Sequence, residues 1–369
     1  MSAAALPMEI MNATDPRLAA LEAWLHQQLP GQVRGVEAAS ADASFRRYFR
    51  VALADGATRI VMDAPPAKED IGPYLKVAAL LERAGVHVPH VFATDTAQGF
   101  VLLEDLGRSP YLDALRNPLQ VEPLYADAMA ALVRIAVAGR ELAAELPPYD
   151  AAVLEREMQL MPEWFVAQHL RLRLDADEAA LLRRAFDFLI AAALEQPITF
   201  VHRDYHSRNL MIIPQRNPGV IDFQDALRGP LAYDLVSLLK DCYIGWPRER
   251  VETWVRQQHA ALQAAGFEGL PRAREFLRQF DLIGLQRHIK VLGIFARLWY
   301  RDGKPGYLGD LPLTLAYARD TAARYGELQP LARWLETRIA PLLAGANARA
   351  RAAAAADGLP GMREPRCAR

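Results

Sequence analysis

Three oxygen-bearing side chains, Asp204, Asn209 and Asp222, fall within the stretch ITFVHRDYHSRNLMIIPQRNPGVIDFQD, Ile198 to Asp225. Their order is H-x-D-x-x-x-x-N followed by I-D-F, the order of a site that moves a phosphoryl group. That reaction needs positioning and charge neutralisation more than covalent chemistry. A carboxylate such as Asp204 accepts the proton of an attacking hydroxyl. Mg²⁺ is a hard ion that takes oxygen ligands, which Asn209 and Asp222 supply. His202 is expected to pack beneath the loop and orient Asp204. Arg208 either neutralises a transferred phosphate or lies exposed. Asp225 either supports Asp222 or contacts the metal, and support is the preferred reading. His202-x-x-x-His206 has the spacing of a zinc-protease pair, but that motif needs a helix with glutamate after the first histidine, and Arg203 stands there.

Short strands have to hold these groups. Ile198 to Val201 is an apolar β-type run, His202 to Asn209 a polar loop, and Leu210–Ile213 and Val220–Ile221 two further apolar runs around a Pro/Asn/Gly turn. The segments HRDYHSRN, IDFQDA and GPLAYDL resemble those of the aminoglycoside phosphotransferase-like kinases. With DASFRRYF and MDAPP upstream, the wording is most similar to the bacterial anomeric kinases of N-acetylmuramate and N-acetylglucosamine, over about Ala19 to Leu343. The resemblance implies an α+β, two-lobed protein-kinase-like fold, with a small N-terminal antiparallel β-lobe and a larger, mainly helical C-terminal lobe. It implies Mg²⁺ and ATP in a cleft, an amino sugar phosphorylated at C1 during peptidoglycan recycling, and a buried Asp234 bracing the catalytic loop from below. The expected divisions are residues 1–105 for the nucleotide lobe, 106–343 for the helical lobe, and 344–369 for a disordered tail.

The chain is expected to be a monomeric enzyme with a small-molecule substrate, and its composition fits the cytoplasm. The 369 residues are enough for two lobes, and 52% are hydrophobic. A net charge of −1, with no basic stripe, argues against nucleic acid or an acidic membrane as partner. Two cysteines, Cys242 and Cys367, cannot build a disulfide framework. The N-terminus has no signal-peptide pattern, and no apolar run reaches the ~18 residues of a membrane span.

Upstream, Thr14-Asp15-Pro16 starts a helix whose Leu18, Leu21, Leu25 and Leu29 share one face. Strands follow to Met62, with a hairpin turn at Asp55-Gly56. The loop between the first two strands is where the ATP phosphates would be covered. It lacks glycine, so backbone N–H groups at Asp42 to Phe45 would serve, with Ser44 as a small donor and Arg46 or Arg47 facing the nucleotide. The lysine that this fold places on the next strand is absent: Met62 or Asp63 stands there, and Glu69 or Glu82 would have been its acidic partner. Ile71 to Ala84 reads as a helix closed by Gly85, and Val91–Thr94 with Phe100–Leu103 as a hairpin. Glu104 and Leu106 are the expected backbone contacts to adenine, and a kinase hinge runs through Leu103–Gly107.

Helical spacing then dominates: Leu119–Leu142, Leu154–Leu170, Ala176–Gln196, Pro247–Ala265, Arg272–Tyr300, Leu313–Tyr325 and Gln329–Leu343. In Arg272–Tyr300 and the turn after it, His288, Arg297 and Tyr300 are assigned with Arg208 to the sugar site, beside Arg287, Lys290 and Tyr307. A sugar wants an aromatic face and directional donors, and a lactyl carboxylate wants an arginine. Two other functions share these motifs. One is a kinase of the same fold acting on aminoglycosides, choline or homoserine. The other is a nucleotide-binding scaffold without catalysis, suggested by the absent lysine.

Overall fold

The computed structural model describes residues 15–41 and 45–356. Ser44, the backbone of Asp42 and Ala43, and residues 357–369 lie outside the described residues. The chain forms two compact units. One comprises the residues up to Ala79 with Val88–Gly107, the other Leu80–His87 with the residues from Arg108 onward.

The first unit is built on five antiparallel strands: β1 (Val33–Ala41), β2 (Arg47–Leu53), β3 (Thr58–Asp63), β4 (Val91–Asp95) and β5 (Phe100–Glu104), in the order β1-β2-β3-β5-β4. The Asp55-Gly56 turn joins β2 to β3 as the sequence suggested, with Gly56 at φ 84°. Helix α1 (Pro16–Gln28) is capped by Asp15, which accepts the N–H groups of Arg17 and Leu18. It lays Leu21, Trp24 and Leu25 against Phe49, Val51, Val61, Phe100 and Leu102. Side chains alternate along a strand, so the odd-numbered residues of β2 and β3 face α1. That alternation puts the fully buried Asp63 under α1, where its carboxylate accepts from both Arg17 and Arg47. Arg47 also pairs with Asp15. Of the two residues expected at the lysine position, Asp63 therefore belongs to a structural ion network, and Met62 is a buried apolar residue. Arg50 braces the end of β5 by donating to both oxygens of Asp105, at 2.5 and 3.0 Å, and to the Gly107 carbonyl.

The helices are α2 (Gly72–Arg83), which follows the first three strands, then α3 (Tyr111–Ala114), α4 (Pro118–Leu142), α5 (Ala151–Leu160), α6 (Ala176–Leu194), α7 (Tyr233–Leu239), α8 (Arg248–Ala264), α9 (Ala273–Tyr300), α10 (Leu311–Ala322), α11 (Gln329–Trp334) and α12 (Ala340–Ala356). Two short strand pairs stand among those of the second unit: β6 (Ile198–Val201) with β9 (Leu227–Pro230), and β7 (Leu210–Met211) with β8 (Gly219–Val220). Helix α5 starts earlier than its apolar period suggested because Asp150 caps it, and it widens into a π-helix over Met161–His169. Among the described residues, no helix is long and apolar enough to cross a membrane.

The tail expected from residue 344 is a correction. Helix α12 continues to Ala356 and buries Ala346, Asn347, Ala350 and Ala354. Alanine is the best helix former, and small side chains let the helix lie close to its neighbours, so the stretch needs no large apolar residues to pack.

Helix α9 is the axis of the second unit. From Phe276 to Trp299 nearly every residue is buried. Its Gly293 lies so close to the end of α5 that an added Cβ would stand 2.3 Å from the carbonyl carbon of Leu160. Gly→Ala in an unconstrained helix stabilises by about 1 kcal/mol. Here overpacking reverses the sign, and Gly293→Ala is expected to lower the unfolding free energy by about 1–3 kcal/mol in urea denaturation. A stabilised variant would show that this helix crossing can relax.

Candidate active site

The loop from His202 to Asn209 leaves β6 and returns into β7, so the two strand pairs fix both of its ends. Between them the loop is tied to α7. The buried carboxylate of Asp234 accepts the backbone N–H of His202 at 2.7 Å and of Arg203 at 3.0 Å. Farther along, the Ser207 N–H and hydroxyl both donate to Asp241, and the Ser207 carbonyl accepts from Leu112. These contacts hold Arg203 at φ 77°, a left-handed conformation that non-glycine residues rarely adopt. His202 is fully buried, and its Nδ1 lies 3.2 Å from the Asp204 N–H, as a packing and orienting residue should. Burial pulls its pKa down to about 4, so the ring is neutral at physiological pH.

The loop brings the three expected oxygen-bearing residues together. The Asn209 amide donates to the backbone carbonyl of Asp204 at 3.0 Å and to the Asp222 carboxylate at 3.1 Å. Asp222 stands after β8 at φ 64°, and Gln224 donates to its other oxygen at 2.7 Å. Asp225 is exposed, and it is its backbone carbonyl that meets Arg203, at 3.3 Å. The donor set suits a hard divalent cation: amide and carboxylate oxygens of Asn209 and Asp222, beside a buried Gln224 Oε1 that has no hydrogen-bond partner among the described residues.

Cations surround Asp204. Burial works to raise its carboxyl, but Lys290, His206, Arg287 and Arg203 together hold it below the ordinary aspartate value. Asp204 is therefore ionised at neutral pH and able to accept a proton. Lys290 and Arg203 both pair with the buried Glu157, at 3.0 Å for Lys290. Tyr149 and Gln286 donate to the same carboxylate, and Lys290 donates to the Tyr233 hydroxyl.

Arg208 is the expected substrate residue that stays beside this group. Its guanidinium lies 3.6 Å from the centre of the Tyr243 ring and 5.5 Å from that of Tyr307. Phe295 joins both rings, and His206 meets Tyr243 edge-on. The structure places His288 and Tyr300 elsewhere. His288 is fully buried, bonds the Lys240 carbonyl and stacks on Tyr317. One step of a helix turns a side chain by about 100°, so Arg287, not His288, acts on Asp204. Tyr300 lies ten residues past Lys290, about 15 Å along the axis, and bonds His169. Arg297 is half-buried, Arg301 and Asp302 act on it, and its Nε has no hydrogen-bond partner among the described residues.

Sequence reasoning missed Glu157, Asp241, Gln224 and Tyr243, and passed over Lys290 and Arg287. The last two carried a signal: basic residues three apart share one face of a helix that is otherwise apolar there. Glu157, which falls at helical spacing with Leu154, Met158 and Met161, carried another.

Residues expected at the nucleotide belong to the first unit. Phe45 is exposed, its N–H donates to Glu69, and Lys68 lies over its ring at 4.4 Å. Arg46 stands just before β2. The Glu104 N–H is taken by the His90 carbonyl at 2.9 Å, and Leu106 is buried in the segment that Arg50 braces.

An antiparallel β unit, a mainly helical unit and a D-x-x-x-x-N loop followed by a strand-end aspartate define a protein-kinase-like enzyme that transfers phosphoryl groups to small molecules. The model of the phosphotransferase enzyme family matches residues 35–276, more than half of the chain, and the chain belongs to that family. An N-acetylmuramate/N-acetylglucosamine kinase of Pseudomonas aeruginosa is 47% identical over 331 residues, which cover 87% of this chain and 96% of that protein. One from Neisseria meningitidis is 44% identical over 314 residues, 84% and 92% of the two chains. Among solved structures, the Plasmodium vivax ethanolamine kinase superposes with a TM-score of 0.58 at 14% identity, over 84% of this chain and 89% of that one. Its likeness shows the fold.

Asp234 offers a direct probe of the loop anchor. Burial raises its pKa to about 7, against the two backbone N–H groups that lower it. A folded-state value above the unfolded one means stability that is complete below about pH 3.8 and lost as the pH rises through about 7. Asp234→Asn abolishes that titration. Between pH 4 and 7 the parent should lose up to about 1.4 kcal/mol per pH unit relative to the variant, read by urea denaturation at each pH. A constant difference across that range would show an ordinary carboxylate.

Proposed function

We propose that the chain is a kinase that uses Mg²⁺ and ATP to phosphorylate the anomeric hydroxyl of N-acetylmuramate and N-acetylglucosamine, a step of peptidoglycan recycling in the cytoplasm. The observation that carries the reading is the junction at Asn209, whose amide ties the Asp204 backbone to the Asp222 carboxylate. The names and high identity of the relatives support the sugar, and the anomeric position rests on the resemblance of the sequence motifs.

In this reading Asp204 takes the proton as the C1 oxygen attacks the γ-phosphate in line. An anomeric hydroxyl is more acidic than an ordinary alcohol, so one carboxylate base suffices. Asn209 and Asp222 hold the metal, with Gln224 near it; bound Mg²⁺ would neutralise the phosphate oxygens. Arg208 and the rings of Tyr243 and Tyr307 receive the sugar, and the arginine fits a lactyl carboxylate. Backbone atoms of Glu104 and Leu106 hold the adenine. Ser44, Phe45 and Arg46 cover the phosphates in place of the strand lysine.

Asp204→Asn should lower kcat by about two orders of magnitude or more with KM little changed, measured as ADP formed with N-acetylmuramate. Turnover that survives in this variant would remove Asp204 from the mechanism. Phosphorus NMR of the product should give a C1-phosphate signal with N-acetylmuramate and with N-acetylglucosamine, and none with aminoglycosides, choline or homoserine. ATP binding without Mg²⁺-dependent ADP formation on any of them would leave a scaffold instead.

A further inference from the structure

We propose that a cavity at the C-terminal end of α9 is a binding site for a small phosphomonoester, separate from the site around Asp204. The cavity has a volume of about 430 Å³, within the range of small-molecule sites. It is lined by Arg171, Arg301 and Arg349, by Trp299 and Tyr300, and by small residues of α12. Tyr300 stands about 15 Å along the helix from Lys290, which places the cavity well away from the proton-accepting carboxylate.

The charge of this cavity selects the ligand. Three guanidiniums line it, and no carboxylate does so among the described residues. Arg301 is neutralised by Asp302 at 2.7 Å. Arg349 meets only a neutral acceptor, the His169 carbonyl at 3.3 Å. Arg171 forms no ion pair among the described residues and stands just past the end of the π-helix, in the left-handed conformation (φ 56°) that closes helix ends. Two uncompensated cations call for a dianion. A phosphomonoester carries about −1.5 to −2 at pH 7, and its oxygens match the guanidinium fork.

The cavity is also built in advance. His169, almost fully buried, bonds Asn347 of α12 at 2.8 Å through Nε2 and the Tyr300 hydroxyl at 3.3 Å through Nδ1. Its carbonyl holds Arg349. Burial raises the Tyr300 phenol while Arg171 and Arg349 pull it down, so both arginines lie within electrostatic reach of that hydroxyl. Tyr300 remains 41% exposed, an aromatic face for a ring carried by the phosphate. Alanines at 350 and 353 leave room for that ring. None of this depends on the reaction proposed above.

The test is isothermal titration calorimetry at fixed ionic strength, with phenyl phosphate and glucose 1-phosphate as probes. The full chain, an Arg171→Ala/Arg349→Ala double variant and an Asp222→Ala variant are compared. At least one probe should bind the parent. Its affinity should fall by about tenfold or more in the double variant, which loses two charge-assisted contacts, and persist in Asp222→Ala. Both arginines are exposed, so the double variant should keep its circular dichroism and its turnover. The proposal is overturned by equal affinity in parent and double variant, by loss of binding in Asp222→Ala, or by no binding of either probe at millimolar concentration.

Discussion

Two backbone amides converging on one buried carboxylate set the geometry of the second unit. The N–H groups of His202 and Arg203 belong to the point where β6 ends and the loop turns away, and Asp234 on α7 satisfies both. Without that acceptor, two buried donors would be unpaired, at a cost of about 1–3 kcal/mol each. With it, Arg203 is held in a left-handed conformation, and the chain turns so that Asp204 follows and Asn209 comes back to meet Asp222. The positions of three side chains thus follow from one anchor that itself faces away from the chemistry.

The charges around Asp204 follow a related logic. Arg203, Arg287 and Lys290 are basic groups in a largely buried region, where a lone cation is expensive. Glu157 offsets two of them, with tyrosine hydroxyls filling the remaining positions. Lys290, His206, Arg287 and Arg203 act together on Asp204, so the aspartate remains ionised without depending on a single partner. A base locked in one bidentate ion pair would be a weaker proton acceptor, because the adjacent charge favours its ionised form.

The sequence made the loop legible because its chemistry is local. Asp204 and Asn209 lie on one loop, and Asp222 is delivered by the hairpin that follows, so spacing alone brings them close. The five-stranded sheet was equally readable from the Asp55-Gly56 turn and the alternation around it. What failed was anything needing the rotation of a long buried helix. Helix α9 is buried nearly all round, with polar residues on several sides, so neighbouring positions such as Arg287 and His288 cannot be told apart until the packing of α7 and α10 is known. The helix to Ala356 was missed for the opposite reason: alanine packs by letting backbones approach, and leaves no large apolar stripe to see.

Alternation on β3 also explains the sequence Met62-Asp63 at the position where this fold otherwise carries a lysine. Asp63 lies on the side covered by α1, where its pairing with Arg17 and Arg47 ties the helix to the sheet. Met62, one step along, turns to the opposite side, and it is the residue that stands in register with Tyr48. An acid at 63 therefore says nothing about repulsion of phosphate, since its charge is spent on two arginines within the same unit. The loss that remains is one cation at Met62.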